Sequence, residues 1–467
     1  MHDPDYAPPQ FTPKNKKVKF DDWFTDLDFS HETFAFLDAL SFDQLKTRRI
    51  PTLRKIPMHY TTYWNGVLSS VLVAFTKPTT LEDERLRLRA SKFLFILPQM
   101  LLAAPLRQVE DIKYFEGLQS ATKALNGRFD AFRSGQYESL YASAVAEYND
   151  HLHKTGSLPA AEVTVPADRE RQHRCNKACA LVEMGCFSRA NNLLHSFGVA
   201  PPDEQTQREI KEVIKQPQHG QVDAVQEEIR MLKASFQPKR LVVKQRMLRQ
   251  AFHQLARYSG AACSGHRNEY WIALLHLSKD DLMHIVPFFE MLVNNEIEIE
   301  FLHFMPLVPL KKNKHGAEVR PIGITETIRK IVAHIWLAEV RKKAKKVLSP
   351  VQYGCLFSAG GEAMIHEFQL ELEKDPSMLW KYDIRNFFNE IKRVELVRAA
   401  KCLLGDSFGF HVACLLEKVT EYILQCQNGT SHSHLTIDGT YQGNVYSTLF
   451  ACLVLIRAQN EFLVRLS

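Results

Sequence analysis

The stretch MLWKYDIRNFFNEI, residues 378–391, carries an apolar run that ends on a single carboxylate, Asp383, set between Tyr382 and Ile384. An amphipathic run follows it, so the pattern predicts a strand leading into a helix. Burying a carboxylate costs several kcal/mol unless it is paired or holds a metal, which makes an acid at the end of a core strand a metal-site candidate. Asp383 capping the following helix is an equal alternative at this point.

Upstream lies FMPLVPLKKNKHGAEVRPIGITETIRKIVAHI, residues 304–335. It reads as a strand, a basic turn at His315-Gly316, a second strand and a helix beginning near Thr325. A triphosphate needs fixed cations, and arginine adds planar two-pronged contacts that lysine cannot make. Arg320, with Lys311 and Lys312, has the residue types for that task; taken by itself, the hairpin reads first as a solvated charged loop. Downstream, IDGTYQGNVYSTLFACLVLIRAQ, residues 437–459, reads as a glycine-bounded turn entering an apolar core helix.

The chain has 467 residues, 45% apolar and 24% charged, which is ordinary globular composition. Its net charge is only +6, but residues 311–346 hold eleven Lys or Arg against three Glu, a local excess of +8. That stretch accounts for the whole surplus and suits contact with an acidic polymer. Nine cysteines without a CxxC pair, and no apolar run of about 18 residues, point to a reducing interior and no membrane partner. Lys14, Lys16, Lys17 and Lys19 form a small basic cluster in a proline-containing start, which reads first as a solvated tail, with a nuclear address as the alternative within an intracellular location.

Residues 1–80 show little pattern, so they are expected as a poorly defined N-terminal segment. Residues 81–200 read as a helical region, with Pro98 and Pro105 cutting the 81–125 pattern into short helices. His173, Cys175, Cys179 and Cys186 lie in an expected helical hairpin, where packing is the preferred reading over zinc. Pro201, Pro202, Pro217 and repeated Gln make 201–235 an expected linker, and helix–strand alternation sets in over 236–467. The fold class expected is α+β.

Taken together and in this order, the three segments resemble the reverse transcriptases of non-LTR retrotransposons. Arg320-Pro321-Ile322 stands where that family ends its fingers hairpin, and Asp383-Ile384-Arg385-Asn386-Phe387-Phe388 matches its first palm motif. Gln442, Gly443, Ser447 and Leu449 match a third motif, although Asn444-Val445 replaces the usual Asp-Pro. Gly361, Glu362 and His366, and the Gly-containing stretch from Ser259, have counterparts too, so the resemblance covers roughly residues 170–467.

The resemblance implies a helical N-terminal region followed by an incomplete right-hand polymerase fingers and palm. It implies an RNA-directed DNA polymerase acting on an RNA template, a DNA primer and deoxynucleoside triphosphates, with two Mg2+ ions. Asp383 and the carbonyl of Ile384 would ligate metal; Lys311, Lys312 and Arg320 would grip the triphosphate. Phe388 would exclude a ribose 2′-hydroxyl, favouring DNA synthesis over RNA synthesis, and Gln442 and Gly443 would place nucleotide or template. The family's Tyr-x-Asp-Asp turn has no counterpart after Gln442, where Glu461 is the sole acid. A single carboxylate cannot hold two divalent ions, so this stretch is expected to be inactive as it stands. Nucleic-acid binding through residues 311–346 alone, or a helical scaffold, are the competing expectations.

Overall fold

The computed structural model describes residues 19–104, 114–156, 187–257, 259–313, 318–349, 351–374, 383–426, 429–440 and 443–466, with 175–176, 178–179 and 181–183. Within them the helices that shape the molecule are α1 (Thr61–Phe75), α2 (Glu84–Leu101), α3 (Tyr114–Arg133), α4 (Tyr137–Thr155), α5 (Glu204–Val213) and α6 (Gln221–Ala234). After the first two strands come α7 (Thr327–Leu348), α8 (Gly360–Lys374), α9 (Phe387–Glu390), α10 (Arg393–Leu404), α11 (Asp406–Glu417) and α12 (Ser447–Leu466). The strands are β1 (Phe304–Lys311), β2 (Val319–Gly323), β3 (Thr420–Gln425) and β4 (Ser431–Thr436). This is a mixed helix-and-sheet architecture with one four-stranded sheet in the order β2-β1-β3-β4. Among the described residues no helix is long and apolar enough to cross a membrane.

The expected hairpin is present: β1 and β2 pair antiparallel, with Leu310 opposite Arg320 and Leu307 opposite Gly323. β1 also runs parallel to β3, but only over Phe304–Pro306. Beyond that point residues 198–200 take β3's place beside β1, through Ala200 N–H to Pro309 O (2.8 Å) and Lys311 N–H to Gly198 O (3.0 Å). Successive residues of a strand face opposite sides. One side therefore sends Met305, Leu307, Val319, Tyr422 and Leu424 against Ile210 and Ile214, while Phe304 and Ile423 join the main core.

Residues 201–235 are thus not a linker. Ile210 and Ile214, from α5 and its end, cover the sheet, and Ile229 of α6 lies in the main core. Prolines 201, 202 and 217 flank these helices, which is where proline interrupts no helical hydrogen bond.

Nor is all of 1–80 poorly defined. α1 is buried along most of its length, and Trp64 Nε1–H donates to Tyr270 O (3.0 Å) while Asn65 Nδ2–H donates to Ala273 O (2.9 Å). Gly66 permits a close approach, since a Cβ there would lie 2.6 Å from Trp23 Cβ. One continuous apolar core accordingly runs from Trp23 to Ile456.

Pro98 does not cut the helical pattern either; α2 passes through it to Leu101. A proline at 98 withholds the N–H that Leu94 O would accept. His266 fills the gap, its Nε2–H donating to Leu94 O at 3.0 Å. A missing helical bond has become a link between α2 and the 259–267 loop.

Candidate functional site

The site is assembled where β2, α9 and the turn before α12 meet. β2 enters with Val319 and Pro321 buried and Arg320 exposed. Arg320 shares its face of β2 with Ile322, and it is on Ile322 and Gly323 that the next motif sits. A Cβ on Gly443 would lie 2.8 Å from Gly323 O and 3.7 Å from Ile322 Cγ2. Gly443 also has φ +105°, a conformation that glycine alone adopts without strain.

The palm-like motif joins the same turn by its backbone. Thr440 N–H donates to Phe388 O (2.7 Å) and Gly439 N–H to Ile391 O (2.6 Å). Gly439 is pressed to α9 so closely that a Cβ would meet Phe388 O at 2.6 Å. Thr440 Oγ1 lies 2.9 Å from Ser447 Oγ, a buried contact that ties the turn to the start of α12. Three segments far apart in sequence therefore meet at residues 439–447. Asn389, Thr436, Asp438, Gly439 and Thr440, with Tyr422 and Ile214, line a shallow cleft beside this junction.

Asn386 adopts the left-handed conformation, φ +52°, at the entry to α9. Asparagine tolerates that region better than other residues with a side chain, which gives this motif position a backbone reason. The resemblance carried no role for it.

Asp383 departs from expectation. It is exposed, not buried, and Ile384 is 41% exposed. Residues 378–382, the expected core strand, lie outside the described residues. In the described sheet the neighbour of β1 is β3, so Asp383 follows none of its strands. A solvated carboxylate needs no partner, and the burial argument that singled out Asp383 does not apply to it. Ile384 O accepts a long bond, 3.4 Å, from Phe387 N–H. Gln442 likewise lies outside the described residues.

The cations differ among themselves. Lys312 pairs with Glu318 at 3.2 Å, and its N–H donates to Glu318 O (2.9 Å), so the hairpin partly neutralises itself. Lys311 is half-buried at the end of β1, opposite Val319. Phe388 is half-buried against the core, with its ring 6.3 Å from that of Phe387.

For a pair of magnesium ions, the donors among the described residues are few. Among the described residues no three metal-binding side chains cluster, and the motif offers one exposed carboxylate and one carbonyl. Such ions, when bound, neutralise the phosphoryl group in transfer, and that chemistry requires a further acid. For zinc, Cys175 and Cys179 are free thiols, Cys179 exposed; His173 and Cys186 lie outside the described residues.

The contact sequence reasoning did not single out is the buried junction behind the hairpin. Glu326, at the N-terminus of α7, is fully buried and accepts from Ser264 N–H (3.0 Å) and Ser264 Oγ–H (2.7 Å). Burial pushes its carboxyl up to about 7, against the pull of the Ser264 bonds. Lys330, one turn on, is lowered to about 8 by burial. The signal was present as a serine in a small-residue loop and a glutamate ahead of a helix, but nothing in the sequence joins the two.

In comparisons with known proteins, no family model and no curated protein sequence matches this chain.

Proposed function

We propose that residues 236–467 form the fingers and the front of the palm of a reverse-transcriptase-type polymerase, and that this stretch binds the polymerase's substrates. The observation that carries the reading is the convergence of three motifs. Gly443 rests on Gly323 O beside Arg320's strand face, and Thr440 is bonded to Phe388 O at 2.7 Å. Sequence separation of about a hundred residues does not bring such segments together unless the fold does.

In this reading Arg320, with Lys311 and Lys312, neutralises the triphosphate of an incoming deoxynucleotide. Phe388 closes the sugar side against a 2′-hydroxyl, and Gly443, with Gln442 before it, lets the nucleotide or template approach the backbone. Asp383 is one of the acids that a Mg2+ pair would need. RNA template, DNA primer and deoxynucleoside triphosphates are the partners. Two-metal chemistry needs a second carboxylate beside Asp383, and the one acid in residues 443–467 is Glu461, on α12.

Equilibrium binding of fluorescent dTTP and UTP to the full chain tests this. Arg320→Ala is expected to weaken dTTP about tenfold, the size of one lost charge-assisted contact, and Phe388→Ala to narrow the gap between dTTP and UTP. Equal affinity for both nucleotides in the unaltered protein, with no response to Arg320→Ala, would sink the reading.

A further inference from the structure

The basic stretch 311–346 is not one surface. Arg329 is buried and donates to Leu302 O (2.8 Å), and Lys330 is half-buried beside Glu326. Lys312 is paired with Glu318. What remains free to meet a partner beyond the hairpin is the last two turns of α7. Arg341, Lys342, Lys343 and Lys346 are exposed there, and Lys345 lies half-buried over the Phe357 ring, 5.6 Å from its centroid.

Helical winding of about 100° per residue spreads these five around roughly 200° of the helix. Val340, Ala344 and Leu348 fill the remaining arc and are buried. Among the described residues none of the five has a carboxylate within ion-pair distance. Elsewhere the same fold neutralises dense charge: Arg230 and Lys233 share Glu417, Arg85 and Arg89 share Asp38, and Arg240 takes Glu290 and Glu296. One or two cations satisfy the C-terminal dipole of a helix. Further ones repel, and Arg341 with Lys345 and Lys342 with Lys346 are like-charge pairs at the unfavourable four-residue spacing.

We propose that this helix end is a docking site for the phosphodiester backbone of a nucleic-acid duplex. It is separate from the triphosphate cations. The partner is an extended polyanion because five cations spread over roughly 200° of the last two turns cover more surface than one phosphate can contact, whereas a duplex presents a row of them. Four of the five cations are lysines, which bind phosphate as point charges, so the contact is chiefly with the backbone and acts by counterion release. It deepens the polymerase reading by adding a duplex grip, and it rests on that reading only for the kind of duplex.

The test is fluorescence anisotropy of the full chain with an RNA–DNA hybrid and a DNA duplex of unrelated sequence, across a salt series. Sedimentation with phosphatidylserine vesicles runs alongside. In the variant Lys342→Gln/Lys343→Gln/Lys346→Gln, affinity for both duplexes is expected to fall about tenfold or more at low salt. The log–log salt slope should lose between two and three units, near 0.9 per phosphate contact. Its circular dichroism and its dTTP affinity should match those of the unaltered protein. Unchanged duplex affinity and slope would overturn the proposal, as would loss of vesicle binding with duplex binding intact. Loss of duplex binding in the variant, in a protein that never bound dTTP, would remove the polymerase reading and leave this one standing.

Discussion

The loop 259–267 and the turn 383–386 are both irregular segments beside the fingers-like hairpin, yet they are held in opposite ways. The loop is tied on every side: Ser264 to Glu326, His266 to Leu94 O, Gly265 O to Thr52 Oγ1 (2.8 Å) and Ser264 O to Gln99 Nε2 (3.3 Å). Asp383, Ile384 and Arg385 are exposed, and α9 is fastened chiefly through the backbone of residues 439–440. A loop whose polar groups are buried must satisfy them, so it becomes a structural joint; a solvated turn keeps its side chains free for something else. The loop thus joins the N-terminal helices to the hairpin, while the turn at 383–386 leaves the side chains of Asp383, Ile384 and Arg385 in solvent.

That contrast is broken most forcefully by acid. His266 is buried and held down to about 4, and His411, stacked on Trp336, down to about 3, both chiefly by burial. Their unfolded forms take a proton near 6.5 while the folded forms do not, so stability is lost as pH falls from about 6.5 toward 4. Each contributes on the order of 3 kcal/mol. Glu326 runs the other way: with its folded value near 7, stability is gained as pH falls from 7 toward 4.5, offsetting about half of that loss. Urea midpoints at pH 7 and pH 4 should show the net decline, and Glu326→Gln should steepen it by removing the offset. A midpoint that rises on acidification would contradict the buried, neutral histidines.

Next in size is the bond that replaces the one Pro98 withholds. His266→Ala leaves Leu94 O without a donor in the core and should cost about 3 kcal/mol, the unpaired acceptor plus the cavity. Adding Pro98→Ala restores an N–H to Leu94, so the double variant should recover about 1 kcal/mol of that. Strict additivity in the double-mutant cycle would mean that the two do not share the carbonyl.

Gly443→Ala comes third. It meets Gly323 O and a left-handed φ together, and about 2 kcal/mol is expected. A neutral outcome in thermal melts would show that the turn does not rest on β2. Asp383→Asn is the smallest, below about 0.5 kcal/mol in the same melts, because an exposed carboxylate contributes little to folding. A large loss there would restore the buried-carboxylate expectation.

Local pattern was enough for the hairpin at 304–323, the helix starting beside Thr325 and the apolar helix after Gly443, because side-chain period and turn chemistry act over a few residues. It was also enough to locate the +8 stretch and the three motifs, although not to show that they meet. Where it misled, a partner remote in sequence made the difference. Pro98 stays inside a helix because His266, far along the chain, supplies the missing donor. Residues 204–213 and 221–234 become helices because the sheet and the core offer Ile210, Ile214 and Ile229 somewhere to bury.

What the sequence by itself determined is the chemistry on offer: a basic hairpin ending in Arg320, an acid at 383, a glycine at 443 and a run of lysines at the end of one helix. Only the tertiary structure decided which of these are free to act. It buried Arg329 and half-buried Lys330 while leaving Arg341, Lys342, Lys343 and Lys346 in solvent, and it exposed Asp383 while sealing Glu326 beneath Ser264. Whether a charge meets water or core depends on contacts made across the whole chain, and the few residues around it cannot fix that.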